Sequence, residues 1–248
     1  MAAEPPEPTA NAAGFDPARD DVFARIAGRY DLMCDIFSLF AHRHWKSAMV
    51  EEIVRAPGAV LLDTASGTGH IALRVARRQE RAATRKRIVA TDLCEEMLGV
   101  ARRKLAPPGS APEFRVADAH DLRGFESGSI DVYSMAFGMK ICDRHRALRE
   151  AFRVLRPGGL LLCLEASHIP AAWLRAIYLR YMDWCLPVMA RLATGGDRGA
   201  YDYLLRGVHD FPDQRAFCDD LRGHGFTAVG YRNLSLGIVA LHRATKPL

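Results

Sequence analysis

The chain has no C-x-x-C pair, no long uninterrupted apolar run and no strong excess of either charge, and each absence removes a class of function. Its six cysteines, Cys34, Cys94, Cys142, Cys163, Cys185 and Cys218, are scattered along 248 residues. That spacing suits neither a zinc site nor a disulfide framework, so no metal is expected and reduced, cytoplasmic thiols are. The most apolar stretch, residues 171–193, is broken by Arg175, Arg180, Asp183, Pro187 and Arg191, whereas a membrane-spanning helix needs about 20 mostly apolar residues. No transmembrane helix is expected. Lys plus Arg number 34 against 29 Asp plus Glu, a net charge of +5. This is too mild for a nucleic-acid partner, but it suits anionic substrates or the inner face of a membrane. Residues 1–20 are rich in Ala and Pro, carry Glu4 and Glu7, and lack a basic start and an apolar core; they read as a disordered tail and not as a signal peptide.

What remains is globular in composition, with 49% hydrophobic and 25% charged residues. Its length fits a single domain over residues 21–248, with a helical N-terminal cap at 21–56 and a helical insertion at 168–211. In the cap, Phe23, Ile26, Ala27 and Tyr30, then Met49 and Ile53, recur at helical spacing until Pro57-Gly58. Beyond it, apolar runs alternate with helical patterns: 59–63, 87–91, 113–116, 130–135 and 159–165 read as strands. Such alternation predicts βαβ units, hence an α/β fold with a mostly parallel, Rossmann-like sheet. The last two runs, 227–234 and 236–242, have almost no linker and predict an antiparallel hairpin at one sheet edge.

The first strand ends at Asp63 and is followed by Gly67-Thr68-Gly69-His70-Ile71-Ala72, a G-x-G-x-x-A loop entering a helix. The second strand ends at Asp92 and the third at Asp118-Ala119. Glycines let backbone approach a ligand closely, and a strand-end carboxylate accepts from ribose hydroxyls, so an adenosine cofactor is expected. Three features favour S-adenosylmethionine over a nicotinamide dinucleotide. Asp63 would repel a pyrophosphate but suits the amino group of a methionine moiety. Asp118-Ala119 stands where an adenine amino group needs an acceptor, and the dinucleotide fold normally continues with parallel strands where this chain predicts a hairpin.

Further motifs narrow the comparison. Tyr30-Asp31-Leu32-Met33-Cys34-Asp35-Ile36-Phe37-Ser38, with His42 and Trp45, resembles the signature Y-D-x-M-N-x-x-aliphatic-S-x-x-x-H-x-x-W. Arg153-Val154-Leu155-Arg156-Pro157-Gly158-Gly159 through Glu165-Ala166-Ser167 resembles R-V-L-K-P-G-G leading to E-x-S. Both belong to the ubiquinone/menaquinone biosynthesis C-methyltransferases, a family of class I S-adenosylmethionine-dependent methyltransferases, and the resemblance runs from about residue 22 to the end. It implies a methyltransferase whose acceptor is a small aromatic or quinol molecule. It adds Tyr30, Ala65, Leu93, Ala136 and Phe137 to the cofactor-contacting set and names Tyr30, His42 and Lys140 as candidate catalytic residues. The chain departs from the family at Cys34, where an Asn is usual, at His70, where an Asp follows G-T-G, and at Lys140-Ile141, where Arg-Asn follows F-G-aliphatic.

Methylating a ring carbon requires an electron-rich ring, typically a phenol losing its proton, and a phenol resembling Tyr has a pKa of about 10. A base or a cationic donor must therefore assist, and Tyr201, Tyr203 and His209 join the candidates. Trp173, Ile177, Tyr181, Trp184 and Val188 form an aromatic and apolar helical stripe within the insertion. It reads as a lid over the acceptor, with Trp173, Ile177, Tyr181, Tyr201 and Tyr203 as candidate substrate contacts, and equally as core or a homodimer face. Beside Arg175, Arg180 and Arg191 it also suits peripheral contact with lipid. Other acceptors stay open: a smaller aromatic or heteroaromatic nucleophile methylated on carbon, nitrogen or oxygen, and a phospholipid amine. A cyclase or other protein that binds the cofactor without transferring its methyl is a further alternative, and a nicotinamide oxidoreductase the last.

Overall fold

Seven strands pair into one sheet in the order β3-β2-β1-β4-β5-β7-β6 in a computed structural model that describes residues 22–81, 85–104, 111–181, 184 and 211–248. The elements are α1 (Val22–Ile26), α2 (Tyr30–Phe37), α3 (Ala41–Arg55), β1 (Val60–Thr64), α4 (His70–Arg78), β2 (Arg87–Asp92), α5 (Glu95–Arg103) and β3 (Glu113–Val116). They continue with β4 (Ile130–Ala136), α6 (Arg144–Val154), β5 (Leu155–Ala166), α7 (172–181), α8 (Gln214–Gly223), β6 (Thr227–Leu234) and β7 (Val239–Thr245). The first five strands are parallel, and β7 pairs antiparallel to both β5 and β6.

Strand side chains alternate between faces, so a sheet covered on both sides needs apolar residues at consecutive positions. Leu61 and Leu162 face α3 and α4, packing with Met49, Ile53, Ala72 and Val75. Their neighbours Leu62 and Leu161 face α6 and α8, packing with Leu148, Ala151, Phe217 and Leu221. Caps fix where the latter helices begin: Asp143 accepts from Arg146 N, and Asp213 from Arg215 N and Ala216 N.

Two local departures from the sequence expectation have physical causes. The helical cap is broken after α2, because Leu39 (φ 47°) and Phe40 (φ 65°) turn the chain through the left-handed region. The last strand starts at Val239, later than residue 236, because Ser235–Gly237 form a 3-10 turn with positive φ at all three residues. That turn is tied to α3, since Trp45 Nε1 donates to Ser235 Oγ at 2.8 Å.

The order places β1 beside β4, where the connections leave in opposite directions and the strand ends open a crevice. Each strand is followed by a left-handed residue that is not glycine, Ala65 (φ 48°) after β1 and Phe137 (φ 61°) after β4. Gly138 permits the two turns to meet, because a Cβ there would lie 2.5 Å from that of Ala65.

Candidate active site

Over that crevice sit α2 and α3. The cavity between them and the strand ends is lined by Tyr30, Cys34, His42, Trp45 and Lys46 from above and by Asp63, Ala65–Thr68, His70, Ala136 and Phe137 from below. Of the residues singled out from sequence, Tyr30, His42, Asp63, Ala65, Gly67, Ala136 and Phe137 therefore meet in one space. Gly69, Asp92, Leu93, Asp118, Ala119 and Lys140 stand outside this lining. Trp173, Ile177 and Tyr181 also do not line it, and the first two are exposed on α7. Tyr201, Tyr203, His209 and Val188 fall outside the described residues.

The floor is held by carboxylates at the strand ends. Asp63 is buried; its Oδ1 accepts from Ser134 Oγ at 2.6 Å, while Oδ2 has no hydrogen-bond partner. Burial pushes its carboxyl up to about 7, against the Ser134 hydrogen bond and the charge of Lys46. Asp92 clamps the glycine loop to β2, accepting from Gly67 N (2.7 Å) through Oδ2 and from Cys94 N (2.9 Å) through Oδ1. Each oxygen retains a lone pair for a ligand hydroxyl. Asp118 accepts from His120 N at 2.9 Å and lies 2.7 Å from His120 Nδ1, whose ring is set by Asp143 N donating to Nε2. At Gly67 (φ 54°) an added Cβ would meet nothing within 4 Å, so the loop backbone faces open space.

The roof is cross-linked to the floor by charge. Asp31 accepts from Thr68 Oγ1 (2.5 Å), pairs with Lys104 Nζ (2.6 Å) and lies 3.2 Å from His70 Nε2. Against the penalty of burial, the hydrogen bonds from His70, Lys104 and Thr68 hold its carboxyl well below the usual range. His70, where the family carries an acid, thus becomes a partner of Asp31. Tyr30 is pushed well up by the neighbouring Cys34 and by burial, so its phenol stays a donor. Burial likewise raises Cys34, which therefore remains a thiol.

His42 is the group with the character of a base. Its Nε2 lies 2.7 Å from Asp35 Oδ1, and Asp35 is gripped by Arg43 Nε (2.7 Å) and a terminal Arg43 nitrogen (2.5 Å). A carboxylate only accepts, so Nε2 carries the proton and Nδ1, which has no partner, keeps its lone pair. Burial holds this imidazole below its ordinary pKa despite Asp35, hence neutral near pH 7. Lys140 is differently placed: its ammonium donates to Glu165 Oε1 (3.0 Å) and Phe137 O (2.5 Å), and Glu165 is fully buried.

Lys46 was not singled out from the sequence, nor were Ser66, Thr68 or Trp45 as cavity residues. The missed signal for Lys46 was spacing: it lies four residues after His42, on the same face of α3.

Comparison with known proteins places this geometry. The ubiE/COQ5 methyltransferase family matches residues 15–246. Ubiquinone/menaquinone biosynthesis C-methyltransferases of Cereibacter sphaeroides and Paracoccus denitrificans are each 42% identical, covering 91% of this chain and 89% of theirs. The enzyme of that name from Brucella anthropi is 38% identical over 92% of this chain and 86% of its own. Among solved structures, a possible histamine N-methyltransferase of Thermotoga maritima superposes with a TM-score of 0.62 at 17% identity, covering 92% of this chain and 99% of that one. The magnesium protoporphyrin IX methyltransferase of Synechocystis, solved with S-adenosylhomocysteine, gives 0.55 at 14% identity, with coverages of 83% and 84%. These last two likenesses concern the fold alone.

S-adenosylmethionine is the cofactor, and the residues present fit it. Asp63 Oδ2 lacks the donor that an α-ammonium supplies, the Gly67 backbone is open to close approach, and Asp92 has lone pairs for ribose hydroxyls. If Asp63 receives the cofactor's α-ammonium, its charge links binding to pH. In the free protein its raised pKa leaves it largely protonated below about pH 7, and an ammonium ligand must displace that proton. Affinity for S-adenosylhomocysteine is therefore expected to fall by up to about tenfold per pH unit below 7 and to level off above it. Calorimetry across pH 5 to 8 checks this against Asp63→Asn, which should bind weakly and without that slope.

Proposed function

Because the chain belongs to the ubiE/COQ5 methyltransferase family, we propose that it transfers the methyl group of S-adenosylmethionine to a ring carbon of a quinol precursor of ubiquinone or menaquinone. The observation that carries this reading is the 42% identity, across 91% of the chain, to C-methyltransferases of that name. When bound, the sulfonium supplies an already activated methyl group, so the protein's task is alignment, for which proximity and orientation are worth roughly 7 to 11 kcal/mol.

In this reading His42 Nδ1 accepts the proton of the acceptor hydroxyl, and Asp35 stabilises the imidazolium that forms. The electron pair released into the ring would make the neighbouring carbon nucleophilic, and a C–C bond would form as the C–S bond of the sulfonium breaks to leave the neutral thioether; the ring hydrogen then leaves to solvent as a proton and the His42 imidazolium returns its proton to the acceptor oxygen. Tyr30 donates a hydrogen bond across the cavity. Lys140 acts at one remove, holding the Phe137–Ile141 turn against β5 through Glu165. Leu32, Ile36, Leu39 and Phe40 present a run of exposed apolar side chains on α2 and the turn after it. This face suits contact with a membrane or with the prenyl tail of an acceptor delivered from one. Trp173, Ile177 and Trp184, also exposed, remain candidates for an acceptor lid or a face between two copies of the chain.

A second reading, a smaller phenolic acceptor, is favoured by Lys140-Ile141, which replace a planar guanidinium and an amide that would orient a quinol. Turnover on a prenylated demethyl-quinol, a small phenol and a phosphatidylethanolamine vesicle decides between acceptors. The quinol is expected to give the highest kcat/KM; a higher value on the phenol would transfer the assignment to the second reading.

A further inference from the structure

Lys46 is a buried lysine, 7% exposed, on the cavity side of α3. No hydrogen bond or ion pair among the described residues reaches its ammonium. The groups whose charge it feels do not serve as partners: Asp31 is committed to Thr68, Lys104 and His70, Cys34 is a thiol, and Asp63 makes no hydrogen bond or ion pair to it. A buried charge without a partner is costly, and burial lowers this lysine's pKa; an anion arriving with a ligand would offset that cost. Across the same cavity, Asp63 presents an oxygen that lacks a donor. An unpartnered cation facing an unpartnered acid is the complement of an α-amino acid zwitterion, and S-adenosylmethionine carries one.

We propose that Lys46 is the counter-ion of the cofactor's methionine carboxylate, so that Lys46 and Asp63 together grip the two charges of the amino acid moiety. The grip fixes the sulfonium end of the cofactor beneath Tyr30 and His42. It also accounts for a lysine on the buried face of α3 beside Trp45, Met49 and Ile53. The inference concerns the cofactor and not the acceptor, so an error in the acceptor assignment leaves it unaffected.

The test is binding, without turnover. Titrations of the wild-type protein, Lys46→Met and Lys46→Arg with S-adenosylmethionine and with its decarboxylated analogue separate the carboxylate from the rest of the ligand. Wild type should prefer the intact cofactor by about 10- to 100-fold, the range for a hydrogen bond to a charged group. Lys46→Met should lose that preference, binding the decarboxylated analogue within about twofold of wild type, and Lys46→Arg should keep most of it. Methionine preserves the packing of the lysine stem, and an unchanged melting temperature confirms that the variant is folded. If Lys46→Met weakens both ligands equally, or neither, or if wild type does not distinguish them, the proposal is overturned. The unaltered-affinity outcome would instead point Lys46 at the acceptor oxygen.

Discussion

Replacing Glu165 with leucine is expected to destabilise the fold by about 3–5 kcal/mol, the range for removing one member of a buried ion pair. Glu165 is fully buried at the end of β5, where it receives Lys140 Nζ at 3.0 Å, Ala166 N at 2.8 Å and Lys140 N at 3.2 Å. Leucine fills the volume but leaves an ammonium with only the Phe137 carbonyl for company. For a chain of this size the melting temperature should drop by about 6 to 20 °C. The double variant Lys140→Met/Glu165→Leu should recover part of the loss, because it removes the stranded ammonium while the backbone N–H groups of Lys140 and Ala166 still lack the Glu165 carboxylate. Thermal and urea unfolding of the three variants measures this directly. A single variant within about 1 kcal/mol of wild type would mean that the pair is solvated in solution, against the burial of Glu165.

Turnover should fall by about 100- to 10,000-fold in His42→Ala, the usual contribution of a positioned general base. Cofactor affinity should change little. The fold survives the substitution in this account because Asp35 keeps both of its bonds to Arg43 and so is not stranded. Asp35→Asn should cost less, since it removes the imidazolium's counter-charge but not the lone pair on Nδ1. Raising pH should restore part of the His42→Ala rate by ionising the acceptor in solution. A kcat within about threefold of wild type, or equal losses of kcat and cofactor affinity, would remove His42 from the chemistry.

Much of the scaffold can be read from local sequence because local sequence determines it. Runs such as Leu160–Leu164 have nowhere to go but a doubly covered strand, and of the two loop glycines Gly67 leaves its backbone open to the cavity while Gly69 makes room for Ala101 and Phe114. The acids Asp63, Asp92 and Asp118 are legible for the same reason, since each lies at or just past the C-terminal end of a strand. Pairings between distant elements leave no such trace. Nothing in the neighbourhood of Lys140 announces Glu165, which lies one helix and one strand away, and nothing around His70 announces Asp31 on α2. Lys46 shows the limit most clearly. A helical pattern with Trp45, Met49 and Ile53 places it near the core, but only the packed fold shows that no hydrogen bond or ion pair from the described residues reaches it. The left-handed turn at Leu39-Phe40 is equally silent, since neither side chain favours positive φ and the turn is imposed by packing.

The identity of the reaction rests on where the methyl group goes. Incubating the enzyme with methyl-labelled S-adenosylmethionine and a prenylated demethyl-quinol, then locating the label by mass spectrometry and NMR, reads this out in one measurement. The account predicts one labelled methyl on a ring carbon, with one ring hydrogen lost and both hydroxyl groups intact. Label on an oxygen or a nitrogen, or no transfer to any quinol from a protein that binds the cofactor, would contradict it.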